Sequence, residues 1–335
     1  MRWAIAGRNK GALQMVLNEH VRPILEQRKD SMEPPEILTA ILEDITSLDK
    51  LVTQAKVLLT TTGPFVKLGL PIAEACVRNG TDYIDSTGEP QYVRKLIDNL
   101  NERARDSKVV LVPCCAFDSL PSDICTFIAS EEMKTKYNMG LSDAKFYIRM
   151  RATVSRGTIA SAIEVMYDKD SQQFARDRFY LAPDLRLPNP LPPKPKRTLV
   201  TAPKEYKHLT ATPWLMEVIN SKIVYRTYSL RDFAYGPKFS YSEFFLQKSR
   251  LFSYIWMFVM ALFFFLVNYM PGFHWILRQI LPYIPEEASK ERLAKSHYTL
   301  TLIAYSDDDS RSKRVDVEFS NNADIGYSDS AVMVL

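Results

Sequence analysis

The sequence predicts an α/β protein built on a parallel, doubly wound sheet, followed by an α+β region with a sheet of its own. Three observations predict it. Short apolar runs alternate with amphipathic stretches through the first 130 or so residues, the pattern of strands joined by crossover helices. Polar or small residues follow each run, where a parallel sheet places its ligand crevice. From about Lys145 the pattern changes to strands that alternate like a second sheet. The length of 335 residues, at roughly 150 per domain, agrees with two units. We place them at 1–135 and 136–335.

Taken in order, residues 3–6 form the first strand, which ends at Gly7, Arg8 and Asn9. Asn9 is placed to cap a helix carrying Leu13, Val16, Leu17, Val21 and Leu25. The run 37–42 is the next strand candidate, and Thr46 is expected to cap a short helix through Leu48, Leu51 and Val52. Residues 57–59 lead into Thr60, Thr61, Thr62, Gly63 and Pro64. A helix over 68–77 ends before Gly80. Asn79-Gly80-Thr81 is formally a glycosylation sequon, but the Gly-terminated helix is the simpler reading. Tyr83 and Ile84 lead to Asp85 and Ser86, residues 92–104 are helical by spacing, and 109–112 read as a buried strand. Strand candidates of the second region are 146–148, 223–225, 298–305 and 315–319. A Pro-dense stretch over 183–203, with Lys194, Lys196 and Arg197, fits neither a helix nor a central strand.

Composition narrows the function classes. Lys plus Arg minus Asp plus Glu is 43 − 39 = +4, too weak a bias to suggest nucleic-acid binding. Cys76, Cys114, Cys115 and Cys125 do not form a disulfide framework, and four scattered histidines offer no zinc motif. Residues 1–8 lack the apolar core of a signal peptide. Eleven glycines in 335 residues is about 3%, against an average near 7%, and no glycine-rich phosphate loop is present.

Between Arg250 and Arg278 there is no formal charge. Residues 251–270 are long enough to cross a bilayer and are apolar on every helical face, unlike most core helices. Tyr254, Trp256 and Tyr269 suit interfacial positions. The alternative is a monotopic hairpin that turns at Pro271-Gly272 and returns as an amphipathic helix, so that the membrane segment is 251–281. The hairpin keeps the flanking strands on one side of the bilayer.

Four stretches carry a family resemblance: WAIAGRN at 3–9, TGPF at 62–65, GTDYIDSTGE at 80–89 and FDSLPSD at 117–123. Together they resemble the saccharopine dehydrogenase-like oxidoreductases, which include the bacterial trans-acting enoyl reductases. RGTIASA at 156–162, the apolar segment and Gly326-Tyr327 fit the same family. The resemblance implies a Rossmann-like NAD(P)-binding domain, a second α+β domain, and attachment to a lipid droplet, the endoplasmic reticulum or a mitochondrial membrane. Family members start with a strand and a G-x-x-G-x-x-G loop ahead of the WAIAGR strand. The expectation is therefore a Rossmann-like sheet lacking its first strand and glycine-rich loop, in a sequence truncated at both ends, or else in a genuine short form. Ala116 stands where the family has glycine.

On that resemblance Arg8, Asn9, Asp44, Thr62, Gly63 and Pro64 bind the cofactor. Arg8 argues for the 2′-phosphate of NADP, and the missing loop weakens binding. Candidate proton donors are Asp118 and Ser119, with Tyr83 and Asp85 also near strand ends; Asp118 is equally suited to cap the helix that follows it. Two functions follow: an NADP-linked, membrane-associated oxidoreductase with a lipid-like substrate, or a non-catalytic membrane scaffold on a degenerate dinucleotide fold.

Overall fold

The computed structural model describes residues 2–28, 33–152, 156–167, 171–195, 199–284 and 290–333. Lys196, Arg197 and Pro285 lie outside these residues.

Strand β1 (Ala4–Gly7) runs into helix α1 (Lys10–Val16), which continues through a π turn into α2 (Arg22–Arg28). The Asn9 side chain caps α1, accepting from the Ala12 N–H at 3.1 Å. Strand β2 (Glu36–Thr39) pairs in parallel with β1, Ala4 opposite Glu36 and Gly7 opposite Thr39. Helix α3 (Ile45–Val52) is capped by Asp44, which accepts from the Thr46 and Ser47 N–H groups. The expected cap, Thr46, sits two residues too far in, as the second residue of the helix. Strand β3 (Val57–Thr60), helix α4 (Phe65–Asn79), strand β4 (Asp82–Asp85), helix α5 (Pro90–Ser107) and strand β5 (Leu111–Val112) follow. They build a parallel sheet in the order β3-β4-β5.

The single parallel sheet expected from the sequence is therefore two. Among the described residues β1 and β3 do not pair. There β1 pairs only with β2, and β3 only with β4. Helix α4 ends as its sequence implies, with Gly80 at φ +76° and the Thr81 N–H returning to the Cys76 carbonyl. Leu48, Val52, Ile72, Cys76, Tyr83, Tyr92, Leu96 and Leu100 form the core between α3, α4, α5 and β4.

The second region holds α6 (Leu120–Tyr137), β6 (Leu141–Arg151), α7 (Arg156–Tyr167), α8 (Ser171–Arg176), β7 (Thr210–Pro213), α9 (Glu217–Leu230) and β8 (Ser240–Gln247). After these come α10 (Arg250–Tyr269), α11 (Phe273–Ile280), α12 (Lys290–Leu293), β9 (His297–Ser306), β10 (Arg314–Asn321) and α13 (Ser330–Met333). Its sheet runs β10-β9-β6-β8-β7, with only β6 and β8 parallel. The expected strand at 223–225 is instead the middle of α9. Asn220, Val224 and Tyr228 are all buried, a four-residue spacing that keeps one helical face against the core. Tertiary contact outweighs the local strand preference of Ile-Val-Tyr. One sheet face (Phe146, Ile148, Tyr241, Leu300, Leu302) packs on Cys125, Ala129 and Met133 of α6 and on Val224, Tyr225 and Tyr228 of α9.

Helix α10 starts at a Ser249 cap that accepts from the Phe252 N–H at 3.2 Å. It has a mean hydropathy of 2.1 over an 18-residue window of which 11% is buried. It is the one helix among the described residues long and apolar enough to cross a membrane. The chain turns at Pro271-Gly272, with Gly272 at φ +78°, and returns along α11. Strands β8 and β9 lie on either side of β6, so the α10–α11 excursion leaves one sheet and rejoins the same sheet.

Candidate functional site

The carboxyl ends of β4 and β5 carry a buried polar network. Asp85 ends β4 with no exposed surface. Its Oδ1 accepts from the Thr87 and Cys114 N–H groups, each at 2.9 Å, and its Oδ2 accepts from the Tyr83 hydroxyl at 2.8 Å. The Tyr83 and Tyr92 hydroxyls meet at 2.7 Å. Burial pushes the Asp85 carboxyl up to about 6 against the lowering effect of its donors, and it pushes both tyrosines far up, so they stay neutral.

Four residues on, Glu89 closes the start of α4. Its Oε1 accepts from the Phe65 N–H at 2.9 Å and from Ser161 Oγ at 2.8 Å, and its Oε2 accepts from the Val66 N–H at 2.7 Å. Helix N-termini leave such donors unmet and favour a negative charge. Because Ser161 lies on α7, this carboxylate also joins the first region to the second.

A second network lies beside the FDSLPSD segment. Ser122 Oγ donates to Glu243 Oε1 at 2.8 Å, and the Tyr241 hydroxyl donates to the same oxygen at 2.7 Å. Asn220 Nδ2 donates to Glu243 Oε2 at 3.1 Å, and Ser119 Oγ donates to Asn220 Oδ1 at 3.0 Å. Glu243 is wholly buried, and burial pushes it up to about 7 despite three donors. Asp118 is raised by burial as well. Both face a cavity of about 30 Å³ walled by Phe117, Phe146, Ile148, Met150, Trp214 and Leu300. That volume holds a water or two, not a chain. The two networks adjoin: a Cβ on Gly88 would lie 4.0 Å from Asp118 Oδ2.

The sequence-predicted residues divide. Asp118 lines the cavity, and Ser119 enters its hydrogen-bond network. Asp118 does not cap α6; Ser119 holds the cap position and makes no side-chain cap bond. Arg8, Asn9, Asp44, Thr62 and Gly63 are exposed at the ends of β1, β2 and β3, with half-buried Pro64 beside them. The Asn9 and Asp44 side chains are engaged as helix caps. The first α4 N–H groups, which could take a phosphate, already hold Glu89. The expected cofactor residues thus lie at strand ends, and the first N–H groups of α4 beside them are already taken by Glu89. Among them no group of His, Cys, Asp and Glu could hold a metal. Glu89, Ser161, Ser122, Asn220 and Glu243 were not foreseen. The signal for Glu243 was a lone acid inside the apolar run Tyr241 to Leu246.

No family model matches the chain. A Mycobacterium tuberculosis protein named provisionally as a trans-acting enoyl reductase is 34% identical over 251 residues, covering 72% of this chain and 58% of that protein. The trans-acting enoyl reductase of Mycobacterium ulcerans is 32% identical over 207 residues, 59% of this chain and 49% of that protein. The chain thus spans only about half the length of these curated relatives. Among solved structures, apo saccharopine dehydrogenase (L-Glu forming) from Saccharomyces cerevisiae aligns over 99% of this chain and 83% of its own, with TM-score 0.48 and 11% identity. The WlbA dehydrogenase of Thermus thermophilus, solved with NAD and UDP-GlcNAcA, aligns over 96% of this chain and 84% of its own, with TM-score 0.35 and 11% identity.

The fold is of the mixed α/β class with parallel sheets. Within that class the chain belongs to the saccharopine dehydrogenase-like family that includes the trans-acting enoyl reductases, as its motifs imply.

Proposed function

We propose that the chain is a membrane-associated oxidoreductase of the nicotinamide-dinucleotide class, handling an unsaturated, lipid-like substrate. The observation that carries this reading is wholly buried Glu243 beside half-buried Asp118 at one small, largely apolar cavity. Reducing a carbon–carbon double bond needs a hydride and a proton. A bound reduced nicotinamide would supply the hydride. Glu243, held near neutrality by burial, keeps a proton available at physiological pH, and Ser122, Asn220 and Tyr241 fix its orientation. Arg8 favours NADP over NAD in this reading. The exposed flank of α10 supports attachment to a lipid droplet, endoplasmic-reticulum or mitochondrial surface. Return of the chain to one sheet favours monotopic insertion over a span.

A second reading, a non-catalytic membrane scaffold, is favoured by one observation: Glu89 occupies the helix start where a phosphate would sit. Titration of the chain with NADPH, followed by energy transfer from tryptophan, separates the two. Saturable binding that weakens in Arg8→Ala, with NADH binding unchanged, supports the oxidoreductase. A folded chain that binds neither nucleotide supports the scaffold.

A further inference from the structure

Cations crowd the end of the second sheet from which the apolar hairpin leaves. The β6–β9 register sets Arg151 opposite His297 and Arg149 opposite Thr299. The parallel β6–β8 register pairs Ile148 with Phe245; three residues on, it brings Arg151 abreast of Lys248. Residues abreast on neighbouring strands share a face, as do alternate residues along one strand. Arg149, Arg151, Lys248 and His297 therefore lie on one face at one end of the sheet, on strands about 5 Å apart. The chain runs extended through Ser249 into Arg250, the first residue of α10. His297 Nδ1 lies 3.2 Å from the Lys295 carbonyl, which puts Lys295 beside the same row.

Arg149, Arg151, Lys248, Arg250 and Lys295 are all exposed. Among the described residues none of the five has an ion-pair partner. Two acids come near and neither pairs with them: Glu291 stands four residues before Lys295, and Glu318 of β10 sits opposite Thr301, four residues in from His297. Like charges set side by side on a sheet are destabilising. Exposed arginines elsewhere do find carboxylates, as Arg78 finds Asp49 and Arg314 finds Asp316. The unpaired row thus calls for an anion from outside the chain, and its surroundings say which kind. Helix α10 starts inside the patch, and its first residues present exposed Leu251, Phe252 and Tyr254. Cations beside an apolar and aromatic flank match a bilayer interface, where alkyl chains meet negative headgroups. An acidic peptide or a nucleic acid would leave that flank in water.

We propose that Arg149, Arg151, Lys248, Arg250 and Lys295 form a docking surface for the headgroups of anionic phospholipids, which holds the base of the hairpin at the bilayer interface. The proposal rests on the membrane association given above and names the kind of membrane and the residues that select it.

The test is flotation of the whole chain with two kinds of vesicle, phosphatidylcholine alone and phosphatidylcholine with phosphatidylserine. Each cation near an anionic surface changes partitioning about fivefold. Phosphatidylserine should therefore raise binding about a hundredfold or more at low salt. Salt at about 1 M, with a screening length near 3 Å, should remove most of that gain. Arg149→Gln with Arg151→Gln should lose about twentyfold on the anionic vesicles and nothing on phosphatidylcholine, and Lys248→Gln with Lys295→Gln should do the same. Neither pair should melt below the parent, since each relieves repulsion. Arg103→Gln with Arg105→Gln takes the same charge from exposed positions on α5 and should change binding less than about twofold. The proposal is overturned, with membrane association intact, if the parent floats equally with both vesicles or if the patch variants float like the parent. It is overturned together with membrane association if the parent floats with neither. Patch variants that lose retention on immobilised polyglutamate but not flotation would also overturn it and assign the patch to an acidic protein.

Discussion

Replacing Glu89 by Gln keeps the side-chain shape and exchanges one acceptor oxygen for a donor. In the parent the two oxygens take the Phe65 N–H at 2.9 Å, the Val66 N–H at 2.7 Å and Ser161 Oγ at 2.8 Å. In Glu89→Gln the amide nitrogen faces a backbone N–H that has no second partner. A hydrogen bond to a charged group contributes about 1.5–3 kcal/mol. Removing the negative charge from the start of α4 adds roughly 0.3–1 kcal/mol. The expected loss is therefore about 2–4 kcal/mol from these two effects together. For a unit of this size that lowers the melting temperature by roughly 5–15 °C. Ser161→Ala removes one neutral donor and should cost only about 0.5–1.5 kcal/mol. Urea titrations followed by circular dichroism measure both variants. If Glu89→Gln unfolds within about 0.5 kcal/mol of the parent, the size expected of an ordinary surface change, then Glu89 does not hold α4 and the account of this network is wrong.

Three further outcomes are expected. Glu243 keeps its proton to about pH 7 in the native state, against 4.5 for the ordinary carboxyl; the native state then binds more protons than the unfolded one, and stability falls as pH rises through that window. Glu243→Gln should flatten this fall between pH 6 and 7.5 in urea midpoints, whereas the contributions of Asp85 and Asp123 end near 6. Gly69→Ala would place a Cβ 2.6 Å from Tyr92; overpacking should cost about 1–3 kcal/mol by chemical denaturation, exceeding the helix-propensity gain of about 1 kcal/mol. The pair Phe258→Lys and Phe265→Lys alters side chains that are 69% and 58% exposed; vesicle flotation should fall about tenfold or more with the melting temperature unchanged.

The parts of the fold legible in the sequence were those set by local spacing. Asn9, Gly80 and the apolar runs of β1 to β4 announced helix starts, stops and strands because caps and periodicity act within a few residues. The division of the parallel sheet was not legible, because strand pairing is decided by which neighbours meet rather than by any one run. The segment at 223–225 misled for the opposite reason: three strand-favouring residues sit in a helix whose buried face is set by Asn220, Val224 and Tyr228. The site was half legible. Asp118 and Ser119 were named from their place after a strand end and lie at the candidate cavity and its network, whereas Glu243 and Asn220 come from β8 and α9, about a hundred residues further along the chain. Only folding brings those carboxyl and amide groups beside Ser122. Glu89 stood inside a quoted motif, but its task as partner to the α4 N–H groups is a property of where α4 begins.

Helix α7 shows how the apolar hairpin and the site share one support. Ser161 on α7 donates to Glu89 at 2.8 Å, and Glu164, one turn on, pairs with Lys67 of α4 at 2.8 Å and Arg278 of α11 at 2.9 Å. Residues three apart lie on one helix face, so the same side of α7 meets the start of α4 and the returning helix of the hairpin. The strengths differ. Lys67 and Arg278 are about half exposed, and such surface pairs contribute between zero and about 1 kcal/mol each. The Glu89 contacts are buried, charge-assisted and joined to a helix start, and Ile163 of α7 is buried as well. The position of α7 is thus fixed from the site side, and the ion pairs only orient α11 against it. Any displacement of α11 therefore meets a helix already held by Glu89, which keeps the α10–α11 hairpin at a set distance from the Glu243 cavity.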